Sequence, residues 1–135
     1  MKSYLYTKSK SDIFGEVYRP IVTVKIFSKT KNIWIPIYDT LADTGADITL
    51  IPAFVGKLIV EDITTGREIK LRGVVPYSKL VAYIHTLKLF VAGREIETSV
   101  AISESDKTLP ILGRVKGLDL FNVSFVKGEQ IIFDD

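Results

Sequence analysis

Apolar and polar residues along this chain recur mostly with a period of two, and rarely with the spacing of a helix. The run "IVTVKIF" at residues 21–27 partly alternates, passes into the polar "SKTKN", and resumes as "IWIPI" at residues 33–37. Two β-branched and aromatic runs separated by a polar turn predict a hairpin. Pro36 has no N–H to give to a sheet ladder, so the second strand is expected to be an edge, or broken, at that point.

The longest strand-like run is "KLVAYIHTLKLFV", residues 79–91, which "AGR" turns back. In the "EIETSVAI" that follows, Ile96, Thr98, Val100 and Ile102 share one face, with Glu95, Glu97 and Ser99 on the other. That is the period of a half-buried strand. "VSFVKGEQIIF" predicts a last hairpin, turning at Lys127 and Gly128. Helical spacing occurs in "RVKGLDLF", residues 114–121, where Val115, Leu118 and Phe121 or Leu120 share a face, although Gly117 weakens it. A short turn of helix around residues 52–58 is a second candidate. So many short strands leave open edges unless the sheet closes. The expected fold is all-β, a closed β-barrel with one short C-terminal helix, and a single domain spanning 1–135.

Composition narrows the chemistry. The chain contains no cysteine, which removes disulfides, thiolate metal sites and cysteine nucleophiles. The formal net charge is only +2, and lysine and arginine are scattered. The densest stretch, "KSKSD" with Lys8 and Lys10, reads as a solvated terminus, so no nucleic-acid partner is expected. Runs such as "IWIPI" are strand-sized and too short for a signal core or a membrane span, so no membrane partner is expected and the location is expected to be cytoplasmic. His85 is the single histidine. One histidine without cysteine makes a poor zinc site, and no serine stands in a nucleophile-elbow context to use it in a triad.

The candidate chemistry lies in "YDTLADTGADITLIP", residues 38–52, where Asp-Thr occurs twice. Asp39-Thr40 is followed by leucine and reads as part of a strand. Asp43-Thr44 is followed by Gly45 and is set between apolar runs. The local pattern is strand, tight loop, strand, with a carboxylate at the loop. Gly45 permits a positive φ or a close backbone approach. Ala46 keeps the loop surface flat, and Thr44 offers a hydroxyl to nearby backbone. The tripeptide alone reads rather as an Asx-type turn between strands.

Three segments together resemble the retropepsin family, the retroviral-type aspartic proteases. "LADTGADITLIP" looks like the family's active-site loop. "PILGRVKGLDLF", with Ile111-Leu112-Gly113-Arg114, is similar to its second motif, an apolar pair and Gly-Arg leading into a short helix. "IKLRGVVPYSKLVAYIHTLKLFVAG" between them looks like the flap hairpin and its outgoing strands. The matches run in order over residues 33–133. There are departures: the flap segment holds one glycine, Gly73, with Pro76, and Val115 follows the motif arginine. Residues before Phe14 have no counterpart.

The resemblance implies an aspartic endopeptidase acting on extended peptide or protein substrates, with no cofactor or metal. That chemistry needs two carboxylates sharing one proton, because like charges about 3 Å apart cannot both ionise. Of nine aspartates, only Asp43 stands in an Asp-Thr-Gly loop. The partner is then Asp43 of a second copy, and the resemblance implies a homodimer. It further implies that Asp43, Thr44 and Gly45 form the catalytic loop, with Thr44 bracing the two loops across the axis. Gly45, Ala46 and Asp47 would contact the substrate main chain, with Gly73, Val74 and Val75 near the flap tip. Arg114 would pair with Asp47, supported by Gly113. The terminal "EQIIFDD" is a candidate dimer surface through Ile131, Ile132 and Phe133, or else pairs only within its own barrel; the N-terminal "SYLYT" is a weaker candidate. A non-catalytic dimeric peptide-binding module of the same fold is the alternative function.

Overall fold

In the computed structural model, residues 1–72 and 79–134 are described. Their strands are β1 (Lys2–Leu5), β2 (Thr7–Ser11), β3 (Gly15–Arg19), β4 (Ile21–Ser28), β5 (Ile33–Ala42) and β6 (Thr49–Ile51). A seven-residue helix, α1 (Ala53–Ile59), follows. Next come β7 (Arg67–Arg72), β8 (Lys79–Val91), β9 (Arg94–Ser103), β10 (Ile111–Leu112), β11 (Asn122–Val126) and β12 (Gln130–Asp134).

Six strands close into a barrel in the order β4-β5-β10-β6-β9-β8, and the pairing of β8 back onto β4 completes the ring. The closing register is Val24↔Val91, Lys25↔Phe90 and Ile26↔Leu89. Alternation decides which side chains enter. Val22, Val24 and Ile26 of β4, Leu87, Leu89 and Val91 of β8, and Val100 and Ile102 of β9 form one buried core with Leu112. Each such side chain contributes about 1.5–3 kcal/mol by leaving water. β7 lies outside the ring, paired among the described residues only to β8.

The predicted hairpins form. β4 turns into β5 between Ser28 and Ile33, with Asn32 at φ 56°. β8 turns into β9 through Ala92 and Gly93, and β11 into β12 through Lys127 and Gly128, all four with positive φ. β5 continues through Pro36, which faces Lys25 of β4, while its other neighbour, β10, reaches only Leu41 and Ala42. The proline therefore lies where β5 has one partner, as its missing N–H requires.

Of the two helical expectations, the one around residues 52–58 is met and the one over residues 114–121 is not. The α-helix is α1, which begins after Pro52 and buries Val55, Gly56 and Ile59 against the core. A Cβ on Gly56 would collide with Ile102 of β9, so this glycine sets how closely the helix packs. Residues 114–121 form no α-helix. Lys116 at φ 53° and Gly117 at φ −130°, ψ −105° interrupt it, leaving turns and a single 3-10 turn at Leu118–Leu120. Leu118 and Phe121 are buried, but Val115 points outward.

Outside the barrel, β12 is the middle strand of the sheet β1-β12-β11. Ile131 and Phe133 enter this chain's own core, with Phe133 edge-on to Tyr4 and Phe121. The stretch proposed as a dimer surface is thus engaged on both edges within one chain. The segment expected to be a solvated terminus is instead β2, paired with β3 as a separate two-stranded ribbon.

Candidate active site

Asp43 follows directly on β5, and its position is set by backbone bonds to two distant segments, around Pro20 and over residues 110–112. The Leu41 and Ala42 amides donate to the carbonyls of Pro110 and Pro20, at 2.9 and 3.0 Å. The Asp43 amide donates to the Leu112 carbonyl at 3.0 Å. β10 is inserted between the two strands that flank the loop, parallel to β5 (Leu112↔Ala42) and antiparallel to β6 (Ile111↔Leu50). The loop thus emerges from a continuous three-strand platform.

Within the loop, the Gly45 amide donates to Asp43 Oδ1 at 2.8 Å, and the Ala46 amide to the Asp43 carbonyl at 3.3 Å. This is an Asx-type turn. Gly45 does not have positive φ; its other expected use applies, because a Cβ there would lie 3.2 Å from Asp43 Oδ1. Asp43 is half-buried, while Thr44, Gly45 and Asp47 are exposed and Ala46 is half-buried. The Thr44 hydroxyl makes no hydrogen bond among the described residues, so the expected local bond is absent and the group faces outward.

The second motif straps the loop from behind. The Arg114 and Val115 amides donate to the Ala46 and Asp47 carbonyls, both at 2.9 Å. The Gly113 amide donates to Thr49 Oγ1 at 3.1 Å, and a Cβ on Gly113 would stand 2.6 Å from the Ile48 backbone. Only glycine lets the strap lie this close. Arg114 Nη2 meets Asp47 Oδ1 at 3.3 Å, as the resemblance implied. The Asp47 side chain is 83% exposed, so this pair orients more than it stabilises, at about 0–1 kcal/mol.

Beside the loop lies an apolar shelf that sequence reasoning did not identify. Leu50, Ala82 and Ala101 are buried there, with Ile48, Ile69, Leu71, Leu80 and Ile111 packed on them. It joins the loop and β10 to both arms of the β7–β8 hairpin. The available signal was the apolar residue next to each motif, Ile48 after Asp47 and Ile111 before Gly113. The hairpin arms pair from Arg67↔Ile84 to Arg72↔Lys79. Gly73, Val74 and Val75, expected near its tip, lie outside the described residues.

His85 is structural: its Nε2 lies 2.7 Å from the Ile63 carbonyl, which makes that nitrogen the donor, and Gly66 packs against the ring. A cavity of about 640 Å³ lined by His85, Asp62, Glu61 and Lys29 contains none of the Asp43 loop residues. Among the described residues, no three His, Cys, Asp or Glu gather to hold a metal, and no helix is long and apolar enough to cross a membrane.

No family model matches the chain. No curated protein matches it either. Among solved structures, it is similar to a retropepsin-like aspartic protease from Rickettsia conorii, with a TM-score of 0.64 and 17% identity over 98% of this chain and 99% of that one. At that identity the shared property is the fold, and this chain has the mostly β, closed-barrel fold of the retropepsin-like type.

Proposed function

We propose that residues 1–135 form one domain that works as half of a homodimeric aspartic endopeptidase. The observation that carries this reading is the Asp43-Thr44-Gly45 loop, raised on three strands, strapped by Gly113-Arg114 and bordered by an apolar shelf. The fold shared with a retropepsin-like aspartic protease supports it.

In this reading two copies bring their Asp43 carboxylates together at a two-fold axis with one shared proton. The ionised carboxylate takes a proton from water as the water oxygen bonds to the scissile carbonyl carbon. The protonated one donates to the carbonyl oxygen. Collapse of the intermediate breaks the C–N bond, and the proton goes to the leaving nitrogen. The outward Thr44 hydroxyls brace the paired loops. Gly45, Ala46 and Asp47 bind the substrate main chain, Arg114 and Gly113 hold that edge in place, and Gly73, Val74 and Val75 are proposed as further substrate-binding residues. The apolar shelf takes substrate side chains. No metal or cofactor takes part, and a cytoplasmic location is proposed.

The test is hydrolysis of casein and a peptide library by wild type and Asp43→Asn, alongside sedimentation. Cleavage at acid to mildly acid pH by wild-type dimers alone is the expected result. Turnover retained by Asp43→Asn, or an optimum only in alkaline buffer, would overturn it. Peptide binding without cleavage by either protein would favour a non-catalytic peptide-binding module.

A further inference from the structure

The β2–β3 ribbon stands apart from the rest of the molecule. None of residues 7–19 is buried, and among the described residues neither strand pairs with anything but the other. A lone two-stranded hairpin is marginal in water. Its tip is nevertheless well built. Ser11 Oγ accepts the Ile13 and Phe14 amides at 3.3 and 3.1 Å, and Gly15 turns the chain back at φ 76°. That turn holds Ile13 and Phe14 outward, 84% and 76% exposed. Two large apolar side chains displayed on an ordered turn are costly unless something covers them.

The same chain has an apolar groove. Pro36, Tyr38, Phe54, Leu58, Leu109 and Pro110 line a hollow of about 500 Å³ between β5, α1 and the segment before β10. Tyr38 and Leu109 are 72% and 64% exposed. No residue of the ribbon lines this groove within one chain.

We infer that the ribbon is a clasping arm whose Ile13–Phe14 tip docks in this groove on a second copy of the chain. Rooting and reach support it. The arm's base is Pro20, whose carbonyl accepts the Ala42 amide, one residue before Asp43. The inference rests on the two-fold pairing of Asp43 loops proposed above, which places both roots beside the axis. The arm, five residues per strand, reaches roughly 17 Å from its root. Along β5 the groove begins at Asp39, four residues or roughly 13 Å before Asp43, which is within that reach. Charge is compatible: Lys8, Lys10 and Arg19 against Asp12 and Glu16 leave the arm one positive charge. Asp39 and Asp106 against Lys107 leave the groove one negative. A two-fold axis makes the contact twice, arm to groove and groove to arm.

The cysteine-free chain allows a direct test. Phe14→Cys and Leu109→Cys are prepared as separate full-length variants, mixed to exchange subunits, and treated with a short bis-maleimide. Sedimentation compares wild type with an Ile13→Ser/Phe14→Ser double variant. Both sites are exposed, so neither change removes a core contact. The expected result is a 14-to-109 cross-linked dimer in the mixture, and dimer affinity weakened about tenfold or more in the serine variant. A tight wild-type dimer with no cross-link, and unchanged affinity in the serine variant, would overturn the arm and leave the paired active site standing. A wild-type chain that stays monomeric at all concentrations would overturn both.

Discussion

Gly113 passes so close behind Ile48 that a Cβ at position 113 would come within 2.6 Å of the Ile48 carbonyl carbon and oxygen. The obstructing atoms are backbone, which cannot swing aside as a side chain would. Gly113→Ala therefore has to push the strap away from the loop and stretch the Arg114-to-Ala46 and Val115-to-Asp47 bonds. Overpacking of this kind costs about 1–3 kcal/mol. Urea denaturation should show that loss, with peptide cleavage falling more steeply than stability.

Asp43→Asn separates chemistry from architecture. The asparagine carbonyl can still accept the Gly45 amide, so the turn survives and the melting temperature should stay near wild type. Without the ionisable pair, cleavage should drop by about a hundredfold to ten-thousandfold, the usual weight of general acid–base catalysis. Matched kinetics and thermal melts check both halves.

Arg114→Ala removes the charge beside Asp47 but leaves the backbone strap in place. As a largely solvated pair, it should cost no more than about 1 kcal/mol of stability. Its effect on catalysis should appear as a raised KM with kcat less affected, because Asp47 is proposed to bind rather than react. Added salt should narrow the difference in stability between variant and wild type.

Asp62 provides a pH test outside the Asp43 loop. Its Oδ1 accepts the Thr64 hydroxyl at 2.7 Å and the Thr64 amide at 2.9 Å. First the hydroxyl bond and then the amide bond hold its carboxyl below the ordinary range; burial opposes them slightly, and His85 adds to the lowering. A folded pKa below the unfolded one contributes stability above the unfolded pKa, and this is lost as pH falls through the folded value. Thermal melts of wild type and Asp62→Asn should differ most near neutral pH and converge in strong acid.

Much of the fold was legible because it is local. In β9 the alternation of Ile96, Thr98 and Val100 with Glu95, Glu97 and Ser99 marked the strand and its buried face. The turns at Gly93 and Gly128 announced themselves through residues that tolerate positive φ. Less visible was β2, whose serines and lysines carry no apolar face, so a paired strand resembled a solvated tail. The helix expected over residues 114–121 had the right spacing, but the backbone leaves helical geometry at Lys116, with φ 53°, and at Gly117, which the spacing of apolar residues does not register.

The sequence by itself determined the strand-rich barrel and marked the Asp43 loop, because residue type, period and motif carry that information, while the pairing of Asp47 with Arg114 was implied by the resemblance. Tertiary structure decided the rest. β10 is two residues long and shows no period, yet it is the piece that joins β5 to β6 and brings Gly113 behind the loop. The apolar shelf exists only once β7, β8 and β10 converge. The fate of Ile131 and Phe133 was likewise undetermined until β1 and β11 took both edges of β12. Burial and edge pairing depend on what else arrives at a surface, and no local pattern along one strand encodes its neighbours.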